Sequence, residues 1–152
     1  MRKVKIIECP RDAMQGIKSH FIPTEAKAQY INALLRVGFD TIDFGSFVSP
    51  KAIPQLQDTA EVLANLELEQ TNSKLLAIVA NTRGAESASH FKEINYLGFP
   101  LSASEQFQQR NTNKSIEDAL EQIQDIQNLC EKHNKKLVTY ISMGFGNPYN
   151  EA

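Results

Sequence analysis

The stretch Lys74-Leu75-Leu76-Ala77-Ile78-Val79-Ala80 is apolar at every position after its lysine. A strand with one wet face alternates polar and apolar residues. A strand buried on both faces does not, and such burial marks a parallel sheet covered by helices. Working outward, Val4 to Glu8 reads as a first strand, Thr41 to Phe44 as a second, Asn95 to Leu101 as a fourth and Leu137 to Ser142 as a fifth. Ala28, Ile31, Leu34 and Leu35 recur at helical spacing, with Thr24 as N-cap, Glu25 in the first turn and Gly38 at the C′ position. Asp58 reads as the cap of a helix carrying Val62, Leu63 and Leu66, and residues 85–93 as a short helix. Ser115 caps the clearest helix, with Glu117 and Asp118 in its first turn and Ile116, Leu120, Ile123, Ile126 and Cys130 on one face. Lys132, His133, Lys135 and Lys136 cluster at its C-terminal end, where positive charge suits the macrodipole. Strands alternating with helices imply a parallel sheet with right-handed crossovers. Two architectures fit, a doubly wound open sheet or part of a (β/α)₈ barrel, and periodicity does not separate them.

The chain's 152 residues suit one domain, and 41% hydrophobic residues suffice for a packed core. A net charge of -2 and a pI near 5.9 argue against a nucleic-acid partner. No apolar run approaches the roughly 20 residues of a membrane span, and no signal or transit segment precedes the first strand, so a cytoplasmic protein is expected. Cys9 and Cys130 lie far apart and no disulfide is expected. His20, His90 and His133 form no HxH or HxxxH pair, so a zinc site from this chain alone is not expected.

In parallel α/β folds, chemistry gathers at the C-terminal ends of strands. Polar groups follow all five predicted strands. Arg11-Asp12 follows the first. Asp12 could ligate a hard cation there, and Arg11 could hold a developing oxyanion. The pair could equally be a surface ion pair, the reading that local spacing alone favours. The segment from Ser46 to Gln55 offers two hydroxyls (Ser46, Ser49), the Lys51 ammonium and the Gln55 amide. It reads either as a phosphate- or carboxylate-binding loop or as a stiff connection. No GxGxxG or Walker pattern occurs, which removes the usual support for a dinucleotide site. Cys9 abuts the candidate site but reads more simply as a small packed side chain.

Taken together, Pro10-Arg11-Asp12-Ala13-Met14-Gln15, Ser46-Phe47-Val48-Ser49-Pro50-Lys51 with Pro54-Gln55, Asn81 followed by Gly84, and Gly146-Asn147-Pro148-Tyr149 resemble the 3-hydroxy-3-methylglutaryl-CoA lyase family. That family sits within the metal-dependent Claisen-type barrels that include isopropylmalate and homocitrate synthases. The Ser-Phe-Val-Ser-Pro-Lys stretch favours the lyase over the synthases. The resemblance implies the N-terminal portion of a (β/α)₈ TIM barrel, about five parallel strands with intervening helices, with residues 1–152 as one partial domain. It implies retro-Claisen cleavage of 3-hydroxy-3-methylglutaryl-CoA to acetyl-CoA and acetoacetate, with a Mg²⁺ or Mn²⁺ cofactor held by Asp12. It implies catalytic roles for Arg11, Gln15 and Asp43, and contacts to the acyl-CoA substrate from Arg11, Lys18, Ser46, Ser49, Lys51 and Asn81.

Several positions depart from the family's pattern. Cys9 stands where a glycine is usual, Ala13-Met14 replaces Gly-Leu, Asp43 replaces a glutamate, and Asn147 stands where many members have cysteine. The stretch between Glu8 and Pro10 is one residue shorter, so no role passes to Glu8. A whole barrel takes about 250 residues. The family's later HxH metal pair and its Gly-rich loop with a catalytic cysteine have no counterpart here. The expectation is that these 152 residues alone are inactive. They would be part of a lyase, a half-barrel that binds acyl-CoA without catalysis, or a half-barrel whose two sheet edges pair with another copy or a second polypeptide.

Overall fold

The computed structural model of the chain describes residues 4–149. Five strands form one sheet: β1 (Ile7–Glu8), β2 (Thr41–Ser46), β3 (Lys74–Ile78), β4 (Ile94–Ser102) and β5 (Lys136–Ser142). All neighbours are parallel, and their spatial order is β1-β2-β3-β4-β5. This order separates the two architectures that periodicity left open. A doubly wound sheet reverses its strand order partway, which sends helices to both faces. Sequential order with right-handed crossovers puts every helix on one face, and the sheet curls away from them. The chain is a curled half-barrel matching the N-terminal half of a (β/α)₈ barrel.

Six α-helices connect the strands: α1 (Pro10–Gln15), α2 (Thr24–Val37), α3 (Thr59–Ala64), α4 (Thr82–Ser89), α5 (Glu105–Thr112) and α6 (Ile116–Lys132). The helix-side core joins Ile31 and Leu35 of α2, Ala85 and Ala88 of α4, and Ile126 and Cys130 of α6. They meet Ile42 and Phe44 of β2, Leu75 and Ala77 of β3, and Leu97 and Phe99 of β4. Because side chains alternate across a strand, Asp43 on β2 and Leu76 and Ile78 on β3 face the concave side. All three are buried as well, which explains the unbroken apolar stretch in β3.

Several helix signals hold. Gly38 ends α2 in the left-handed region at φ 84°, where a side chain is strained. Ser115 accepts from the Asp118 N–H, and Asp118 reaches back to the Ser115 N–H, a complete capping box.

Other expectations need correction. The first strand shortens to Ile7–Glu8, because Val4, Ile6 and Ile7 are exposed and nothing among the described residues covers them. Thr24 is the first residue of α2 rather than its cap, and its hydroxyl donates to Asp58 at 2.7 Å. Asp58 precedes α3 but caps no N–H, because Thr24 and Lys27 take its carboxylate. The helix expected at 85–93 begins at Thr82, since the Asn81 side chain caps the Gly84 N–H. On α6 the buried positions are Ala119, Ile126 and Cys130, while Leu120 is exposed. Lys135 leaves the solvated cluster. It is buried and donates to the carbonyls of Phe91 and Ile94, and burial lowers its pKa.

Two helices, α1 and α5, fall where hydrophobic spacing predicts none. Pro at its first turn starts α1 directly after β1. Ser104 caps α5 through the Phe107 N–H, and Gln108 is buried with its carbonyl oxygen on the Ser102 N–H. Polar residues carry that packing, so hydrophobic spacing gave no sign of it.

Candidate active site

The site starts from Asp43. β2 is buried along its whole length, and its register against β3 shifts between Asp43 and Gly45. Such an irregularity re-aims a side chain. Asp43 is 0% exposed on the concave face. A buried carboxylate needs a partner, and α1 supplies it. Arg11 reaches across with Nε 3.1 Å from Oδ1 and Nη2 2.5 Å from Oδ2, a two-pronged ion pair. Its third nitrogen, Nη1, donates to Asp12 Oδ1 at 2.9 Å and to Gln15 Oε1 at 3.3 Å. Gln15 Nε2 donates to the same Asp12 oxygen at 2.6 Å. Burial works against the Arg11 charge, but its contacts with Asp43 outweigh this and raise its pKa.

Two neutral donors complete the surroundings of Asp43. The Cys9 thiol donates to Oδ2 at 3.0 Å. Burial, together with Asp43, pushes that thiol up to about 11. The Tyr140 phenol, on β5, also lies against Asp43. Burial and the same carboxylate push it up to about 12. Both groups are therefore protonated at neutral pH.

Above them opens a cavity of about 550 Å³, bordered by Cys9, Arg11, Asp12, Gln15, Tyr140 and Ser142, and walled by Val48, Ile53, Pro100 and Phe107. It sits where α1, the β2–α3 loop, α5 and the end of β5 converge, at the C-terminal ends of the strands. A smaller cleft of about 260 Å³ borders it and shares Gln15 and Ala52. Lys18, His20, Phe21 and Gln55 complete that cleft.

The structure thus brings Arg11, Asp12, Gln15 and Asp43 together. Asp43 lies beneath the floor, gripping Arg11, rather than on the cavity wall. Lys18 stands exposed on the adjoining cleft. Ser46 is buried, its hydroxyl accepting from the Val48 N–H, and it borders a separate cleft. Ser49 is exposed and accepts from the Lys51 N–H. Asn81 spends its side-chain oxygen on capping α4. None of Lys18, Ser46, Ser49, Lys51 and Asn81 borders the main cavity. The Gln55 amide, read as a ligand contact, bonds backbone groups instead.

Tyr140 was missed. It lies inside the predicted fifth strand rather than after it. The usable signal was period-two spacing, which puts Tyr140 on the same face as the terminal Ser142.

Asp12 remains the one carboxylate on the cavity border, since both Asp43 oxygens are engaged by Arg11. Among the described residues no three carboxylate, imidazole or thiol groups cluster as a metal site would require. A divalent cation such as Mg²⁺ wants about six oxygens in an octahedron, and these residues do not make up that set.

Sequential parallel strands define the chain as half of a (β/α)₈ barrel, and the Arg11–Asp43 pair lies at the C-terminal ends of those strands. Comparison with known proteins narrows the class. No family model matches. The chain is 36% identical over 152 residues to the 3-hydroxy-3-isohexenylglutaryl-CoA/hydroxy-methylglutaryl-CoA lyase of Pseudomonas aeruginosa, covering 98% of this chain and 49% of that protein. It is 37% identical over 151 residues to the hydroxymethylglutaryl-CoA lyase of Bacillus subtilis, covering 99% and 50%. The crystal structure of the Bacillus subtilis HMG-CoA lyase superposes with a TM-score of 0.90 at 37% identity, over 100% of this chain and 50% of that one. An HMG-CoA lyase from Acinetobacter baumannii, solved in complex with coenzyme A and 3-methylmalate, gives 0.87 at 30% identity, over 96% and 47%. The chain is similar over nearly its whole length to hydroxymethylglutaryl-CoA lyases and matches the N-terminal half of their barrel. It spans about half the length of the curated relatives it matches.

Proposed function

We propose that the chain carries the enolate-stabilising half of a carbon–carbon lyase site that cleaves 3-hydroxy-3-methylglutaryl-CoA to acetyl-CoA and acetoacetate. The observation that carries this reading is the Arg11–Asp43 pair. Two of the three guanidinium nitrogens are fixed by a fully buried carboxylate, and the third, Nη1, is held by Asp12 and Gln15 on the cavity border, so the cation has no freedom to swing. Retro-Claisen cleavage puts negative charge on the thioester oxygen of the departing acetyl-CoA. A cation already held in place stabilises that charge without reorganising. Gln15, tied to both Arg11 and Asp12, orients the pair. Asp12 is the ligand this chain would contribute to Mg²⁺ or Mn²⁺, with the other ligands outside the described residues. Lys18, on the adjoining cleft, would meet the phosphates of coenzyme A. Lys51, Ser46, Ser49 and Asn81 shape the rim rather than the floor.

The 152 residues alone would bind coenzyme A but would not turn over the substrate, since one carboxylate does not complete a metal site. Calorimetric titration of the purified chain with coenzyme A, beside an assay for acetoacetate with and without Mg²⁺, tests both halves. Saturable binding with no acetoacetate is expected. Absence of binding sinks the acyl-CoA reading, and acetoacetate from the chain alone sinks the claim of inactivity.

A further inference from the structure

Residues 16–23, between α1 and α2, form neither helix nor strand. A segment of this kind ordinarily leaves its backbone groups to water. Here one buried side chain takes three of them. Gln55 Oε1 accepts from the Ile22 N–H at 2.8 Å, and its Nε2 donates to the carbonyls of Ile17 and His20, each at 2.9 Å. Both amide hydrogens and one acceptor site are thereby spent, and a planar amide so used fixes the direction of the chain it holds.

Gln55 is held in turn by Lys27 of α2, a lysine 1% exposed. Lys27 Nζ donates to the Gln55 carbonyl oxygen and to Asp58 Oδ1 at 2.6 Å. The same ammonium lies 3.9 Å from the centre of the Phe21 ring, inside the 16–23 segment. The other Asp58 oxygen takes the Thr24 hydroxyl. The loop, the start of α2 and the 54–58 turn thus close on one another through these hydrogen bonds, the Lys27–Asp58 ion pair and the Lys27–Phe21 contact. What they close around is the smaller cleft with Lys18 on its wall, which joins the main cavity at Gln15 and Ala52.

We propose that Gln55 and Lys27 are positioning residues: they hold residues 16–23 so that Gln15 and Lys18 stand along one continuous groove, and ligand affinity in that groove depends on this clasp. The dependence on ligand rests on the acyl-CoA reading above, and the experiment separates the two. Gln55→Ala removes the three side-chain bonds and leaves the Arg11–Asp43 pair intact. Lys27→Met keeps the apolar stem and removes the ammonium.

Hydrogen–deuterium exchange of the full chain, read peptide by peptide, is combined with calorimetric titration of coenzyme A. In either variant, exchange across residues 17–22 should rise by about tenfold or more while β3 keeps its protection. Coenzyme A affinity in Gln55→Ala should fall by at least about threefold. Unchanged exchange at 17–22 in both variants overturns the clasp. So does an equal rise in β3, which marks general destabilisation. Wild-type affinity despite a freed loop overturns the link to binding. If the wild-type chain takes no coenzyme A, the proposed function falls, and the exchange pattern still decides the clasp.

Discussion

Asp43 is the residue on which the others depend. Its carboxylate has no access to water, and its oxygens are taken by Arg11 and Cys9 with the Tyr140 phenol alongside. Removing one member of a buried pair strands the other, at a cost of several kcal/mol. Arg11→Met should therefore destabilise the chain by about 3 kcal/mol, read from the urea midpoint at constant slope. Asp12 differs, because its side chain is largely exposed. Asp12→Asn should change stability by less than about 0.5 kcal/mol while removing any response of coenzyme A binding to Mg²⁺. A large loss of stability in that variant would make Asp12 a structural residue. Cys9 offers a pH test. Its proton is held more tightly in the folded chain than in the unfolded one, whose ordinary value is 9.0. The associated stability is fully present below pH 9.0 and is lost as pH rises through about 11. Alkylation at Cys9, mapped by mass spectrometry so that the buried Cys130 is not counted, should rise with a midpoint near 11. Asp43→Asn should move that midpoint down, and a wild-type midpoint near 9.0 would contradict the thiol–carboxylate contact.

Among the elements, β4 shows how tightly the concave floor is built. Gly98 lies between β3 and β5 in the sheet, and a Cβ placed there would come 2.6 Å from Ile78 Cδ1 and 3.0 Å from both Leu76 Cδ2 and Tyr140 Cε2. The absent side chain lets Tyr140 fold across toward Asp43. Gly98→Ala should cost about 2 kcal/mol by overpacking, and a spectroscopic titration should show the Tyr140 phenol moving down from about 12. If the phenol keeps its value, the floor yields elsewhere and Gly98 does not set the tyrosine's place. A glycine inside a strand ordinarily weakens it, and here Gly98 is a packing requirement. The elements legible in the sequence are those whose signal is local. The apolar β3 and the Ser115 cap of α6 are the clearest, and the segments carrying the family's motifs marked Arg11 and Asp12. What escaped rests on contacts distant in sequence. The helix α5 packs through buried Gln108, and Tyr140 matters only because β5 closes over β4 toward a carboxylate on β2. Nor does spacing reveal that Lys27 and Lys135 are buried, since each is satisfied by carbonyls far along the chain.

At the scale of the molecule, sequential strand order gives the sheet its curl and leaves it open. Among the described residues β1 pairs only with β2, and β5 only with β4. Both margins expose large apolar side chains. Ile6 and Ile7 lie exposed at the first, while Ile141, 66% exposed, lies at the last with Phe145 beyond it. An unpaired parallel edge with exposed isoleucines is a template for another strand, and natural sheets blunt such edges with charge. Neither Ile7 nor Ile141 supplies any. The purified 152-residue chain is therefore expected to associate, with a sedimentation coefficient that rises with concentration. Ile141→Lys places a charge on the β5 margin away from the Arg11–Asp43 pair. It should shift the equilibrium toward monomer without changing coenzyme A affinity. Sedimentation as a single monomeric species at all concentrations would show that the edges are quiet in solution, and would leave the binding half-barrel as the better account. Association that Ile141→Lys leaves untouched would move the contact to the β1 margin, where Ile6→Lys makes the corresponding test.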